Sequence, residues 1–295
     1  MIESETPKRF HSYSMNRFDL SFGNEFMECR VFWARVVSSE TESLFTQYTK
    51  HTFYEVQYAL EGRIGMVLDE DRRAELAESD FIIIPPDTYH QIVDADSVGA
   101  RFIMAFSVEC KDGRFREWMR YLDEPKPCRE TPYMRSLLSA ALEKAETDGP
   151  LAQQMVASLL ENFFLEMVQA IVPKESLGEL RDGKREDIDG RAEAICAFIR
   201  DARGIGIGVA DVARQFNVSE RHLNRIVLAA KGKTPKELIC HEKLKRIEEY
   251  MVSTRLSLNE ISELCGFSDA YAMNKFFRRY NLITPSDFRK TAKKH

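Results

Sequence analysis

Two stretches near the C-terminal end decide the fold: Ser219-Glu-Arg-His-Leu-Asn-Arg225 and, about fifty residues later, Ser268-Asp-Ala-Tyr-Ala-Met-Asn-Lys275. Each stretch opens a segment whose apolar residues recur at the 0, 3, 4 and 7 spacing of one helix face. These positions are Leu223, Ile226, Val227 and Ala230 in the first segment, and Met273, Phe276, Phe277 and Tyr280 in the second. Each segment therefore predicts a helix that packs on its apolar side and presents Arg, Asn or Lys on the other.

A shorter helix is predicted in front of each of these two. Its apolar positions are Val209, Val212, Ala213 and Phe216 in the first copy, and Leu258, Ile261 and Cys265 in the second. Asn217 and Gly266 are expected to end the short helices, because both residue types accept the left-handed conformation. Ser219 and Ser268 are expected to cap the helices that follow. Two short helices with a tight turn between them are typical of a helix-turn-helix when the second carries basic and amide side chains outward.

The segments that follow the two predicted helix pairs are also similar in sequence. Thr234-Pro-Lys-Glu237 and Thr284-Pro-Ser-Asp287 each place Thr at an N-cap, Pro at the first helical position and an acid three residues after the Thr. An internal repeat of this kind predicts two copies of one structural unit.

Taken together, these residues resemble the bacterial AraC/XylS-type transcription regulators. The resemblance is carried by Gly266-Phe267-Ser268, Leu223-Asn224-Arg225-Ile226-Val227, Lys231-Gly232-Lys233-Thr234-Pro235 and Thr284-Pro285-Ser286-Asp287-Phe288-Arg289. It implies an all-α DNA-binding domain over residues 191–295, with a long helix from about Lys236 to Ser253 holding two recognition helices. The chain departs from the family at Val227-Leu228, at Ala272-Met273 and at Leu282, where the family usually has Gly.

The recognition helices supply the predicted contacts to double-stranded DNA. Arg221 and Arg225 can each give two hydrogen bonds to guanine, and Asn224 can pair with adenine. The resemblance places the base contacts of the second helix at Ala270, Tyr271, Asn274 and Lys275. A solvated or phosphate-bound face is the alternative for the two arginines, since phosphate contacts outnumber base contacts.

Charge is divided unevenly along the 295 residues. The whole chain has a net charge of −5, but residues 191–295 hold a balance of +8 and residues 1–190 one of −13. A basic C-terminal part suits a polyanion such as DNA. Residues 1–20 lack the pattern of a secretory leader, and no apolar run approaches the roughly 18 residues of a membrane span. A cytoplasmic protein without a membrane partner is therefore expected.

The N-terminal half predicts many short strands. They are Phe26–Val37, Phe53–Leu60, Arg63–Leu68, Phe81–Ile84, Tyr89–Val93 and Ala100–Ser107, with a charged hairpin tip at Asp69–Arg73. Such spacing favours a sandwich or a barrel. The order of His51, Glu55, Glu61-Gly62, Pro85-Pro86 and His90 resembles the cupin jelly roll that many AraC-type proteins carry as a sensor. Residues 1–24 would then be an N-terminal arm and residues 25–110 the barrel.

A candidate ligand site follows from the alternation in Phe53–Leu60. His51, Phe53, Glu55 and Gln57 share one face of the strand. With His90 they can line a pocket for a small organic effector, or lie on the solvent side of a half-buried sheet. A third alternative is a divalent metal held by His51, Glu55 and His90. Enzymatic cupins have a further His where this chain has Thr49, so we predict an effector pocket with no metal and no cofactor.

Residues 111–172 change to a helical pattern. Helices are indicated by the apolar residues within Phe115–Leu122, Tyr133–Leu142 and Met155–Ile171. The apolar face of the third helix is wider than that of a helix on the surface of a monomer. Burial within the chain and burial in a dimer interface explain this width equally well. The family resemblance favours a homodimer. Residues 173–190 are mostly charged and predict a linker, and Gly204–Gly208 predicts a flexible entry to the next helix.

The expected protein is an α+β chain of two domains. A cupin-like β-barrel (jelly roll) followed by helices precedes an all-α domain with two helix-turn-helix motifs. We predict a sequence-specific transcription regulator, not an enzyme, whose partners are DNA, a second copy of the chain and a small-molecule effector. Many relatives sense a sugar, and contact with RNA polymerase stays open. The alternatives are an effector-independent dimeric regulator and a metal-dependent cupin enzyme tethered to DNA.

Overall fold

The structure is a computed structural model that describes residues 10–40, 43–69, 71–111, 113–178, 190–281 and 283–293. The chain divides near residue 180 into two compact units. The N-terminal unit is rich in strands and the C-terminal unit is helical, so the predicted mixed α and β composition is confirmed at this level. The boundary falls within the segment predicted as a linker, most of which lies outside the described residues.

The strands of the N-terminal unit form two antiparallel sheets. They are β1 (Tyr13–Ser14), β2 (Ser21–Gly23), β3 (Met27–Ser38), β4 (Tyr54–Glu61), β5 (Ile64–Leu68), β6 (Arg72–Leu76), β7 (Asp80–Ile84), β8 (His90–Ala95), β9 (Ala100–Cys110) and β10 (Cys128–Arg129). The larger sheet has the order β1-β3-β9-β4-β7-β10, with β2 also paired to β3, and the smaller has the order β6-β5-β8. The six predicted strands all occur, within a few residues of their expected bounds.

Two N-terminal predictions need correction. The described part of the predicted arm is not separate, because β1 and β2 pair with β3 and the side chains of Met15 and Leu20 are buried. The predicted hairpin tip is shorter than expected, because its last two residues, Arg72 and Arg73, already belong to β6. Strand β6 has mostly exposed side chains, and this edge position gave no alternating signal.

Apolar side chains lie on both faces of the larger sheet. Ala59, Ile82 and Ile84 pack with Ile64, Met66, Leu68, Leu76 and Ile92 of the smaller sheet, so they fill the space between the sheets. The other face carries Val56, Tyr58 and Leu60, which pack against helices that follow the strands. Strand β4 is therefore buried on both faces, and its alternating residues enter two different parts of the core.

Among the described residues, four helices complete the N-terminal unit: α1 (Gly113–Leu122), α2 (Met134–Ala145), α3 (Pro150–Ile171) and α4 (Lys174–Gly178). Helix α3 buries nine side chains, from Ala152 to Ile171, and all of them except Ala152 lie in the core that the helix shares with the larger sheet and α2. Burial within the chain thus accounts for most of its wide apolar face. Helix α4 occupies the start of the segment predicted as a linker.

In the part of the C-terminal unit that the structure describes, the chain forms seven helices: α5 (Gly190–Asp201), α6 (Val209–Gln215), α7 (Glu220–Lys231), α8 (Pro235–Ser253), α9 (Leu258–Leu264), α10 (Ala270–Tyr280) and α11 (Pro285–Lys293). The predicted long helix is α8, and both predicted pairs of short helices are present. Leu223 and Val227 of α7 and Met273 and Phe277 of α10 are buried, as the helical spacing predicts. Ala230 is exposed, so the packed side of α7 ends one turn earlier than expected.

The turns of the two helix pairs follow the sequence except at one cap. Asn217 and Gly266 have φ of 50° and 69°, the left-handed conformation expected of them. Ser219 caps α7 by accepting a hydrogen bond from the backbone N–H of His222. The cap of α10 is Asp269 rather than the predicted Ser268, because the carboxylate of Asp269 accepts from the N–H of Ala272. Leu282 lies outside the described residues.

Candidate functional site

Helix α7 presents its predicted recognition residues to solvent. Arg221, Asn224 and Arg225 are exposed, while Leu223 and Val227 hold the opposite side of the helix in the core. The C-cap is Gly232 in the left-handed conformation, and the N-terminal cap at Ser219 fixes the first turn. The helix is therefore capped at both ends, and its exposed side carries guanidinium and amide groups whose hydrogen-bond donors and acceptors are suited to base edges.

Helix α10 presents a different set of side chains. Tyr271 has 79% of its surface exposed, which is a large fraction for an aromatic side chain. Lys275 is exposed, and Ala270 and Asn274 are half-buried on the same helix. Tyr271 and Ala270 offer apolar contact for a thymine methyl, and Asn274 and Lys275 offer polar contact.

A hydrogen bond on α7 involves a residue that the sequence did not single out. The guanidinium of Arg225 donates to Nδ1 of His222, with a distance of 3.0 Å. This contact joins residues one helical turn apart and holds one end of the arginine side chain. The i, i+3 spacing of His222 and Arg225 in the sequence could have predicted this hydrogen bond.

The predicted ligand residues of the N-terminal unit converge into one buried cluster. His51 Nε2 lies 3.3 Å from Glu55 Oε2, and His90 Nε2 lies 3.3 Å from Glu55 Oε1. Gln57 donates to Glu55 at 2.5 Å, and the ring of Phe53 stacks on His51 with 4.0 Å between centroids. Each of these five residues has 6% or less of its surface exposed. The solvent-face alternative is therefore wrong: the cluster lies inside the unit.

The fold brings these residues together from separate strands. Glu55 and Gln57 alternate along β4, pointing to the side of the sheet opposite Val56. His90 begins β8 of the smaller sheet, and its backbone pairs with that of Thr49 just before His51. The polar cluster thus joins the two sheets at one end of the space that their apolar residues fill.

Backbone carbonyls fix the tautomers of the two histidines. His51 Nδ1 lies 2.8 Å from the carbonyl oxygen of Phe53, and His90 Nδ1 lies 3.1 Å from that of Thr88. A carbonyl only accepts, so both Nδ1 atoms carry the proton. In the neutral form, each Nε2 therefore turns a lone pair toward the carboxylate of Glu55. His51 Nε2 is buried without a hydrogen bond.

Sequence reasoning missed two members of the cluster. Arg101 of β9 is 2% exposed and donates to Gln57 Oε1 at 2.6 Å, so the amide of Gln57 lies between the guanidinium and Glu55. Trp33 of β3 makes edge-on ring contacts with Phe53 and His51. Arg101 stands within the apolar run of β9, and this position could have predicted that its side chain is buried with a polar partner.

Burial and pairing shift the pKa values of the cluster. Burial opposes the ionised form of Glu55, but the imidazoles of His51 and His90, each 3.3 Å from its carboxylate, outweigh it and hold the pKa of Glu55 well below its ordinary value. Burial lowers the pKa of His51. Burial also opposes the charged form of His90, but the bond to Glu55 outweighs it and raises the pKa. One carboxylate offsets one imidazolium, which is why the two histidines shift in opposite directions.

His51, Glu55 and His90 also meet the requirements of a metal site. Each offers one ligand atom, and the three atoms lie within 4.8 Å of one another. Two imidazoles and a carboxylate are a donor set for first-row divalent ions. These three side chains could therefore either hold a metal ion or bind a polar effector once the cluster opens.

The amino-acid sequence is similar to a helix-turn-helix family model and to known transcription regulators. A family model described as a helix-turn-helix domain matches residues 212–291, which include both pairs of short helices. An uncharacterised HTH-type transcriptional regulator, YfiF of Bacillus subtilis, is 26% identical over 259 residues, covering 83% of this chain and 79% of YfiF. The xylose operon regulatory protein of Escherichia coli is 26% identical over 156 residues, covering 52% of this chain and 40% of that protein.

A solved structure extends the similarity to the whole fold. The structure of ToxT from Vibrio cholerae has a TM-score of 0.54 at 13% identity, covering 90% of this chain and 98% of that one. At this identity the likeness concerns the fold alone. The relatives by sequence are transcription regulators. Among the described residues, no helix combines the length and apolar character needed to cross a membrane.

Proposed function

Because the chain belongs to the AraC/XylS-type transcription regulators, we propose that it reads operator DNA with two helix-turn-helix motifs under the control of a cupin-like sensor. The motifs are α6–α7 and α9–α10, within the DNA-binding domain of residues 191–295. The sensor is the barrel of residues 25–110, and residues 111–172 form the dimerisation segment.

The exposed residues of α7 are the main support for the proposed DNA binding. Arg221, Asn224 and Arg225 stand on the surface of a helix that is capped at both ends and packed on its other side. Arg225 and Arg221 are suited to guanine and Asn224 to adenine. Helix α10 is the second reader, with Ala270, Tyr271, Asn274 and Lys275. Two such readers about one DNA turn, ~34 Å, apart would bind successive major grooves on one face of the duplex.

Selection of bound sequences from a random duplex library, followed by affinity measurements with the full chain, tests this role. Arg225→Ala should weaken binding to the selected operator by about 1–3 kcal/mol and relax the preference at one base pair. Arg278→Ala, at an exposed arginine of α10 outside the predicted base contacts, is the matched control because we assign this side chain to a phosphate. It should weaken all sequences alike and lower the salt dependence by about one counterion. Unchanged operator affinity in Arg225→Ala would contradict the assignment.

The sensor proposal rests on the buried polar cluster of β4 and β8. A closed, hydrogen-bonded group of His, Glu, Gln and Arg inside an apolar core costs desolvation, and a ligand that engages these groups changes that balance. Sugars are a first class to test, because a relative is named for the xylose operon. Any effector shifts DNA binding only through its differential affinity for the two states of the protein.

Operator affinity of the full chain, measured with and without each member of a panel of pentoses, hexoses and small acids, tests the sensor. A compound that changes operator affinity in the wild type, and not in a Gln57→Leu variant whose N-terminal unit is shown to be folded, would support it. If no compound changes operator affinity or thermal stability, the barrel serves to dimerise, and the effector-independent regulator is the better description.

A stripe on α3 supports the dimer. Exposed positions recur at the heptad spacing along the helix and contain no charged residue. They are Leu151, Met155, Ser158, Asn162, Leu165 and Gln169. Leu151 is 77% and Met155 is 51% exposed, although the rest of the apolar face is buried within the chain.

Sedimentation of the full chain tests this interface. Met155→Glu places a charge in the middle of the stripe and should shift the chain toward the monomer. Gln154→Glu adds the same charge at a neighbouring exposed position outside the stripe and should leave the association unchanged. Equal behaviour of the two variants would place the dimer contact elsewhere.

A further inference from the structure

We propose that Leu228 is a further specificity-determining residue of α7, and that it contacts the 5-methyl group of a thymine in the operator. The thymine lies in the base pair next to the guanine proposed for Arg225. The inference rests on the proposed reading of DNA by α7. It adds an apolar contact to a face whose predicted base contacts are all polar.

Leu228 lies on the reading face of α7, which we define as the face that carries Arg221, Asn224 and Arg225. A helix of about 3.6 residues per turn rotates each residue by about 100° from the one before it. Measured from Arg221, Asn224 lies at about −60° and Arg225 at about +40° around the helix axis. Leu228 lies at about −20°, between these two, one turn further along the helix.

Leu228 is exposed, unlike the leucine and the valine on the opposite side of α7. It has 46% of its surface exposed, whereas Leu223 and Val227 are fully buried. An exposed leucine alone needs no explanation, because much of any protein surface is apolar. The role of Leu228 follows from its place among side chains that we assign to base edges.

The backbone at Leu228 is fixed by the end of the helix. Its carbonyl oxygen accepts a hydrogen bond from the N–H of Gly232, the left-handed C-cap. Leucine side chains in a helix lean toward the N-terminus and cover the preceding turn. The turn before Leu228 carries Asn224 and Arg225. The apolar side chain therefore enters the groove beside the guanidinium of Arg225, and not beyond the end of the helix.

The chemistry of leucine selects the base. A leucine side chain has no hydrogen-bond donor or acceptor, so it cannot bind a phosphate oxygen or the polar edge of a base. In the major groove, the 5-methyl group of thymine is the apolar feature that distinguishes one base from the others. Contact between this methyl group and Leu228 removes apolar surface of both from water. Thymine is therefore the base that Leu228 is suited to recognise.

The second copy of the repeat carries an arginine at the equivalent position. The spacing that aligns Leu223 with Met273 aligns Leu228 with Arg278. We assign Arg278 to a phosphate, because its long side chain ends in a guanidinium suited to phosphate oxygens. A leucine at this position lacks both the length and the charge. The two recognition helices thus use the same position differently, for backbone contact in α10 and for base contact in α7.

Removal of single thymine methyl groups tests the contact. The full chain is titrated with the operator selected from the random library, in which each thymine is replaced in turn by deoxyuridine, which lacks only the 5-methyl group. In the wild type, the replacement beside the guanine identified by Arg225→Ala should weaken binding by about threefold to fourfold, the effect of one buried methyl group. Leu228→Ala should bind the thymine and deoxyuridine duplexes equally at that position. The comparison is a double-mutant cycle between one side chain and one methyl group.

Two further variants separate base contact from other effects. Leu264→Ala is the matched control, because Leu264 has a similar exposed fraction, 48%, and lies on α9 outside the recognition helices. It should keep the wild-type response to every deoxyuridine. Leu228→Arg gives the first motif the side chain of the second. It should bind all duplexes more tightly, raise the salt dependence by about one counterion and lose the methyl response. Alanine and arginine both favour a helix, so these variants should fold.

The inference is overturned if no deoxyuridine replacement weakens binding by the wild type, and also if every such effect persists unchanged in Leu228→Ala. In both cases, the proposed function stands as long as the wild type binds its selected operator and Arg225→Ala weakens that binding. If the wild type selects no operator, the proposed function fails and the inference fails with it.

Discussion

Nδ1 of His222 accepts a hydrogen bond from the guanidinium of Arg225, at 3.0 Å, on the exposed side of α7. Arg225 is the side chain proposed to read guanine, and a neighbour that restricts its rotamers lowers the entropy lost when it binds a base. The pair therefore links helix structure to operator affinity through a residue that need not touch DNA.

His222→Ala should weaken operator binding by about twofold to tenfold, the effect of one net hydrogen bond. Alanine favours the helix, so the fold should be unaffected. His222→Gln retains a side-chain oxygen acceptor one turn from Arg225 and should recover part of the loss. The slope of affinity against salt should stay that of the wild type, because no phosphate contact is lost. A changed slope would instead indicate that His222 binds a phosphate.

Gln57 joins two buried charged groups, and Gln57→Leu should destabilise the N-terminal unit by about 3 kcal/mol. The substitution removes an acceptor of Arg101 and a donor to Glu55, while leaving both charges inside the protein. Denaturant unfolding followed by tryptophan fluorescence measures this unit alone, because both tryptophans, Trp33 and Trp118, lie in it. Gln91→Leu is the control, since Gln91 bonds only a backbone carbonyl near the surface. Equal losses in the two variants would contradict the bridging role.

Periodicity and turn residues predicted the recognition helices well because their signals are local. The apolar spacing, the left-handed Asn217 and Gly266, and the Ser219 cap all act within a few residues. The cap at Ser268 was misplaced by one position, because Asp269 beside it is also a good cap and competes for the same backbone N–H. Local chemistry thus fixes the helix, but not which of two adjacent caps it uses.

The buried cluster shows where local reasoning stops. The alternation of side chains along β4 correctly predicted that His51, Glu55 and Gln57 share one face. Whether that face is exposed to solvent depends on the second sheet, which covers it. Arg101 was missed because its partner, Gln57, is 44 residues earlier in the chain. Its burial is set by strand register, which the sequence of one chain alone leaves undetermined.

Gly204 and Gly206 form a matched pair that tests how α8 is packed. Both have positive φ, of 64° and 68°. A Cβ on Gly204 would overlap the carbonyl oxygen of Ile239 and lie 2.9 Å from the backbone N of Lys243, whereas a Cβ on Gly206 meets nothing within 4 Å. The segment predicted as a flexible entry is thus a close contact with α8.

Gly206→Ala should cost only the strain of the left-handed conformation, about 1–2 kcal/mol. Gly204→Ala adds a clash with helix backbone that no side-chain movement relieves, so the C-terminal unit should lose most of its stability and its operator binding. Far-ultraviolet circular dichroism on heating and an operator titration report the two effects. Similar melting of both variants would mean that the turn can move away from α8.

Acid should destabilise the C-terminal unit through the caps of three helices. Hydrogen bonds from the backbone N–H of Thr234, the hydroxyl of Ser257 and the hydroxyl of Thr284 lower the pKa values of Glu237, Glu260 and Asp287. A carboxylate whose pKa is lower in the folded state stabilises that state above its unfolded pKa, which is 4.5 for Glu and 3.8 for Asp. This contribution is lost as the pH falls through the folded pKa values.

The triple variant Glu237→Gln, Glu260→Gln, Asp287→Asn isolates that contribution. At neutral pH it should melt below the wild type, because the neutral side chains bind the capped N–H groups and interact with the helix dipole more weakly. The difference in melting temperature should shrink as the pH falls below about 4.5 and vanish once the wild-type carboxylates are protonated. Calorimetry of both proteins between neutral pH and acid measures this. A difference that stays constant with pH would show that the carboxylates act through shape rather than charge.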